Sequence, residues 1–168
     1  MEHLWTPWRM PYLKRMNRDM DDDACVFCQK TTTDDDAVEH VLARSSHVYV
    51  TLNLYPYNNG HLLVVPYAHV ASMEALPLDA LTDMMQITNR ALAVLREAYA
   101  PHAFNIGANI GAAAGAGIEE HFHLHVVPRW AGDTNYMTVV SATRVIPDWI
   151  DHTYEFLHDV WQRVNRPA

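Results

Sequence analysis

The sequence predicts an α+β fold, an antiparallel sheet meander carrying one main helix and a second helix at the C-terminus. Three observations predict it. His121-Phe122-His123-Leu124-His125-Val126-Val127-Pro128 alternates imidazole and apolar side chains with the two-residue period of a strand. His61-Leu62-Leu63-Val64-Val65-Pro66 is a continuous apolar run behind a turn rich in Pro and Asn-Gly, as expected of a strand central in its sheet. From Leu78 to Tyr99 apolar residues recur at the three- and four-residue intervals of an amphipathic helix.

Size and composition bound the rest. A chain of 168 residues suits one compact domain with a real core. Its 49% hydrophobic and 19% charged residues are ordinary for a soluble globular protein. A formal net charge of -8 argues against duplex nucleic acid as a partner, because phosphate backbones select basic surfaces. A nucleotide-sized anion is still compatible, since backbone amides and a few local donors can hold one phosphate. No apolar run approaches the ~20 residues that span a bilayer, so no membrane partner is expected. Met1 to Met20 lacks the apolar segment of a signal peptide, and the expected location is cytoplasmic. In such a reducing compartment the Cys25-Val26-Phe27-Cys28 pair suggests a metal or redox role more than a structural disulfide.

In chain order, residues 1–24 read as an N-terminal arm with two tryptophans, ended by the charge run Asp21-Asp22-Asp23. That run lacks the ligand spacing and turn glycine of a calcium loop. After the cysteine pair, Val38 to Ala43 reads as a strand, and His47 to Leu54 as a second. In the latter Val48, Val50, Leu52 and Leu54 share one face, with Tyr49, Thr51 and Asn53 on the other. Tyr55 to Gly60 is the turn before the central strand. Pro77 stands where a first helical turn tolerates it. The main helix is expected from Leu78 to Tyr99, with Leu78, Leu81, Met84, Met85, Thr88, Leu92, Leu95 and Tyr99 as its apolar positions, and it should stop before Pro101. Ala103 to Ile110 is the next strand. Gly111 to Gly117 is a small-residue loop whose backbone amides can approach a ligand closely, although a flexible hairpin loop explains it as well. Past the histidine strand come a polar loop, a short apolar stretch from Met137 to Val140, and a last helix starting near Pro147. Ile150, Thr153, Leu157, Trp161 and Val164 give that helix one apolar face.

The histidine row carries the chemistry. On a strand His121, His123 and His125 point one way while Phe122, Leu124 and Val126 point the other. With 11 histidines in the chain, three readings stand: a solvated face, a metal site, or one nucleophilic imidazole positioned by the others.

The run from His121 to Val127 resembles the signature of the histidine triad family of nucleotide hydrolases and transferases. The segment Leu52 to Pro66, followed by His69, is similar to that family's first hairpin. Gly115-Ala116-Gly117-Ile118-Glu119-Glu120, Val127-Pro128-Arg129-Trp130 and the arm residues Leu4 to Leu13 resemble a bacterial branch that includes diadenosine tetraphosphate phosphorylases. This resemblance implies a homodimer whose sheets join, and a substrate that is an adenine nucleotide, in this branch a dinucleoside polyphosphate. It implies that His123 attacks the α-phosphorus to give a nucleotidyl-histidine, which water or phosphate then releases. His125 would hydrogen-bond a phosphate oxygen or the departing group. By resemblance to zinc-carrying members, Cys25, Cys28, His69 and His121 would form a closed, structural Cys₂His₂ zinc site. Asn53 occupies the position that faces the ribose, and Asn109 could reach the phosphates. Gly117-Ile118 replaces a Gln-Ser pair common among relatives, so backbone amides near Gly117 would take over phosphate contacts.

Overall fold

A computed structural model of the chain describes residues 25–133 and 148–166. The expected N-terminal arm and the Met137–Val140 stretch lie outside the described residues.

Five strands form one sheet: β1 (Val41–Arg44), β2 (Val48–Leu52), β3 (Leu62–Pro66), β4 (Ala103–Gly107) and β5 (Leu124–Arg129). Their spatial order is β1-β2-β3-β5-β4, and every neighbouring pair is antiparallel. Among the described residues three α-helices accompany them: α1 (Val26–Gln29), α2 (Leu78–Tyr99) and α3 (Ile150–Val164). The antiparallel sheet, the main helix and the C-terminal helix are those the sequence predicts. The meander order holds through β3 and then changes. The 22-residue α2, roughly 33 Å long, carries the chain across the sheet. It sets β4 down at the far edge, and β5 returns into the gap beside β3.

The sheet has two apolar sides. Val48, Val50, Leu52, Leu62, Val64 and Val126 face α2 and α3 in the main core. Phe27, Val41, Tyr49, Leu63 and Val65 form a smaller core on the side of α1. Phe122 and Val126 lie in the main core, so the alternation predicted around the histidines is kept and the imidazoles face the α1 side.

Several expected boundaries and faces shift. β1 starts at Val41 rather than Val38, because the chain turns first: His40 sits at φ 54 and the Val41 N–H donates to the Asp36 carbonyl. β2 ends at Leu52, which leaves Leu54 exposed in the turn. β4 stops at Gly107, short of Ile110. Ladder pairing in β5 begins at Leu124; ahead of it the Phe122 N–H donates to the Val70 carbonyl instead. The α2 bounds match, and Met84, Thr88 and Leu95 are buried as expected, but the rest of the buried face differs. Leu78 and Met85 are 79% and 52% exposed, while Ala80, Ile87, Ala91 and Val94 are buried. Ala80 and Ala91 let the helix sit close to the sheet there. Pro77 is the N-cap residue, just outside the first turn. In α3, Tyr154 and Val160 join the buried face and Val164 leaves it. That helix packs in the main core, on the face opposite the histidines.

Candidate active site

The extended segment from His121 into β5 sets His121, His123 and His125 side by side, with ring centroids 4.9 Å apart for the second and third. Their hydrogen bonds give each a different chemistry. The Nε2–H of His121 donates to the Pro66 carbonyl at 2.9 Å, which turns Nδ1 toward the two cysteines. Both nitrogens of His121 are thereby engaged. The Nδ1–H of His123 donates to the His121 carbonyl at 2.8 Å. With Nδ1 as donor, Nε2 keeps its lone pair, and among the described residues it has no hydrogen-bond partner. Burial holds the His123 imidazole below the ordinary histidine range, against a smaller opposing effect of the His121 carbonyl, so the neutral ring is favoured.

His125 is ordered by a histidine that the sequence reading treated only as the start of a strand. The Tyr57 N–H donates to His61 Nδ1 at 3.0 Å, and Asn53 Nδ2 approaches the same atom at 3.3 Å. Nδ1 of His61 is then the acceptor and its Nε2 carries the proton, which is directed at His125 Nδ1 at 2.9 Å. By elimination His125 is protonated on Nε2. That atom is buried and has no hydrogen-bond partner among the described residues, and the His125 ring lines an open cleft. An orphaned buried donor costs free energy until a ligand accepts from it. Burial first, then the charges of neighbouring imidazoles, lowers His61 to about 3 and His125 to about 4, so both are neutral near pH 7. The one available signal for His61 was a histidine opening an otherwise wholly apolar strand.

The cleft has a volume of about 590 Å³ and lies along β4 and β5, with Tyr57, Asn105, Asn109, His125 and Arg129 among its walls. The Tyr57 ring stacks on His125 at 5.7 Å between centroids. Arg129 is held by both oxygens of Asp133, at 2.6 and 2.9 Å, and by the side-chain Oδ1 of Asn105 at 2.8 Å. Asn109 lies in the cleft wall, its amide 3.4 Å from the Gly115 carbonyl. Asn53 stands behind His61, and its Oδ1 accepts from the Tyr55 N–H at 2.9 Å. Gly117 is exposed in the loop before the histidines and is not among the residues that line the cleft.

Cys25, Cys28, His69 and His121 converge from α1, the segment after β3, and the segment before β5. One ligand atom from each lies within 4.8 Å of the others. Cys25 Sγ is 3.3 Å from His121 Nδ1, and Cys28 Sγ is 3.3 Å from His69 Nδ1. Two thiolates and two imidazoles arranged tetrahedrally around zinc stand roughly 3.3–3.8 Å apart, so the set fits that ion. Burial and the adjacent Cys25 push the Cys28 thiol up, a penalty that a divalent cation between them offsets. The His121–Pro66 hydrogen bond fixes from behind the nitrogen that would ligate the ion.

Comparison with known proteins adds the following. A family model described as the HIT domain matches residues 35–132. The AP-4-A phosphorylase of Mycobacterium tuberculosis is 40% identical over 167 residues, which is 97% of this chain and 86% of that protein. The adenosine 5'-monophosphoramidase of Saccharomyces cerevisiae is 30% identical over 64% of this chain and 64% of its own length. Among solved structures, a zinc-bound histidine triad family protein from Mycobacterium smegmatis superposes with a TM-score of 0.68. It is 27% identical, with 84% of this chain and 96% of that one covered.

Proposed function

Because this chain belongs to the HIT family, we propose that it is a nucleotidyl hydrolase or transferase that splits the phosphoanhydride beside an adenylyl group, with a dinucleoside polyphosphate such as diadenosine tetraphosphate as substrate. The observation that carries this reading is the pair of complementary imidazoles. His123 offers a neutral Nε2 lone pair with its other nitrogen tied to a carbonyl, and beside it His125 offers an unpartnered N–H.

In the first step His123 Nε2 forms a bond to the α-phosphorus, and the bond from that phosphorus to the bridging oxygen breaks. The electron pair leaves with the polyphosphate, whose departing oxygen takes a hydrogen bond from His125. The ring of the nucleotidyl-histidine keeps its Nδ1–H on the His121 carbonyl, which stabilises the charge the ring acquires. An acceptor then attacks phosphorus and breaks the P–N bond. Water gives AMP and inorganic phosphate gives ADP, with ATP as the other product from diadenosine tetraphosphate. The 40% identity across most of the chain to a phosphorylase favours phosphate as the acceptor.

Zinc in the Cys₂His₂ set would have four protein ligands and no site for water, so its contribution would be structural. A homodimer is proposed as well, and β4 is an exposed sheet edge able to accept a second strand. A cytoplasmic location remains part of the proposal, and none of the described helices is long and apolar enough to cross a membrane.

The test is mass spectrometry of the acid-labile adduct after brief mixing with diadenosine tetraphosphate, with and without phosphate. An adenylyl group on His123 that decays faster with phosphate supports a phosphorylase, and equal decay supports a hydrolase. Consumption of substrate with no adduct would falsify the nucleophile assignment. Replacing His123 with Ala should abolish turnover while leaving nucleotide binding largely intact. If the unsubstituted protein binds nucleotide and never turns it over, a non-catalytic binding module is the better description.

A further inference from the structure

Between the metal-binding cysteines stands a residue that metal binding does not require. Phe27 is only 4% exposed, and its ring lies 4.9 Å from the His123 ring at 50°, and 5.4 Å from that of His121. His123 also meets the His125 ring, at 4.9 Å and 61°. The reactive imidazole thus has one tether, its Nδ1 bond to the His121 carbonyl, and two aromatic walls. A single hydrogen bond leaves the ring free to tilt about it, so the walls fix where Nε2 points. The His125 wall is held by His61.

The Phe27 wall is held by the turn that carries the cysteines. That turn is a four-residue helix with no side-chain cap at Cys25. One helical turn is not stable by itself, because its nucleation cost is not recovered by propagation. It is kept in place by its cysteines, by burial of Phe27 among Val41, Tyr49, Leu63 and Val65, and by the Tyr49 hydroxyl, which donates to the Phe27 carbonyl at 2.9 Å. The Tyr49 bond fixes the Phe27 backbone, while the packed neighbours and the cysteine turn together hold the ring.

We propose that Phe27 is a positioning residue for His123, through which occupancy of the Cys25-Cys28-His69-His121 site sets the orientation of the reactive imidazole. This rests on the proposed roles of that site and of His123. The metal site then does more than staple the chain. Its release frees the cysteine turn, withdraws one wall and lets Nε2 swing off the line of attack.

The experiment compares wild type, Phe27→Ala and Phe27→Leu at matched zinc content, measured by atomic absorption. With zinc bound, Phe27→Ala is expected to bind a non-hydrolysable diadenosine tetraphosphate analogue within about twofold of wild type. Its kcat should fall about 10- to 100-fold at nearly unchanged KM, the loss typical of a small misplacement of a reacting group. Phe27→Leu restores much of the filled volume and should recover most of that loss. A second readout needs no turnover: the three-bond couplings that report the His123 side-chain torsion in labelled protein without substrate. One rotamer is expected in zinc-loaded wild type. Averaged couplings are expected in zinc-loaded Phe27→Ala and in wild type stripped of zinc, and stripping Phe27→Ala should add nothing further.

Wild-type kcat together with a single His123 rotamer in zinc-loaded Phe27→Ala overturns the proposal. Should Phe27→Ala fail to hold zinc, wild type stripped of zinc decides by the same couplings, with a single His123 rotamer overturning the proposal and averaging supporting it. A wild type that forms no adduct on His123 overturns the nucleophile reading instead, and the couplings still decide the part played by Phe27.

Discussion

His61 has no place in the histidine row, yet it determines which nitrogen of His125 carries the proton. Its Nδ1 is filled by the Tyr57 N–H, so its Nε2 proton goes to His125. Replacing His61 with Leu leaves His125 Nδ1 without a donor and frees the ring to adopt the other tautomer. A loss of about 100-fold in kcat is expected, at the low end of what a misplaced general acid costs. His61→Gln keeps an N–H within reach and should lose less. Steady-state kinetics on the two variants checks the order, and equal losses would contradict the hydrogen-bonding role. Of the sequence-predicted contacts, Asn109 stands in the cleft wall, whereas Asn53 backs His61 and Gly117 lies outside the lining residues. The spacing of the histidines revealed the row. It did not reveal the donor behind it, because His61 and His125 are brought together only by pairing of β3 with β5.

At the scale of elements, two turn positions bear on stability in opposite ways. Gly60 closes the turn before β3 at φ 72, and a Cβ there would meet the Tyr99 ring at 2.8 Å. Gly60→Ala combines left-handed strain with overpacking, and a loss of about 2–4 kcal/mol in chemical denaturation is expected. Ala100 ends α2 in the left-handed region at φ 44, where glycine is the residue without a Cβ penalty. Ala100→Gly should stabilise the protein by up to about 1 kcal/mol, since the relief of strain is partly offset by the added freedom of the unfolded chain. A measured destabilisation would show that the left-handed cap carries no net strain. The α1 turn has too few residues to stand alone, so removal of the proposed zinc should act there first. A loss of about 3 kcal/mol would lower Tm by roughly 6–12 °C in a chain of this size, as calorimetry with and without chelator would show.

For the whole molecule, the buried neutral imidazoles tie stability to pH. Unfolded histidines take up protons below about 6.5, whereas His125 and His61 resist until about 4 and about 3. Between those values the unfolded state binds more protons, so acidification favours it. Their stabilising contribution is therefore complete above pH ~6.5 and is lost as the pH falls through that window. Denaturation midpoints should decline across it, with a flatter decline in His61→Gln. Equal slopes in the two proteins would argue against a neutral buried pair. Both proteins retain the cysteine site, so its own acid sensitivity cancels in the comparison.

Periodicity alone determined the existence and type of the main elements, because a strand or helix must bury one face whatever it packs against. The bounds of α2 and the two-sided character of the histidine segment were legible for that reason. Tertiary structure decided which positions α2 buries beside Met84, Thr88 and Leu95, since alanines at 80 and 91 are invisible to a search for large apolar residues yet allow a close approach. It decided that β5 lies between β3 and β4, which depends on where a long crossover sets the chain down. It also joined Cys25 and Cys28 to His121, 96 and 93 residues away, and set Phe27 against His123. Local sequence determines what a side chain can do, but contacts at that separation depend on how the sheet closes, and the chemistry of each histidine follows from those contacts.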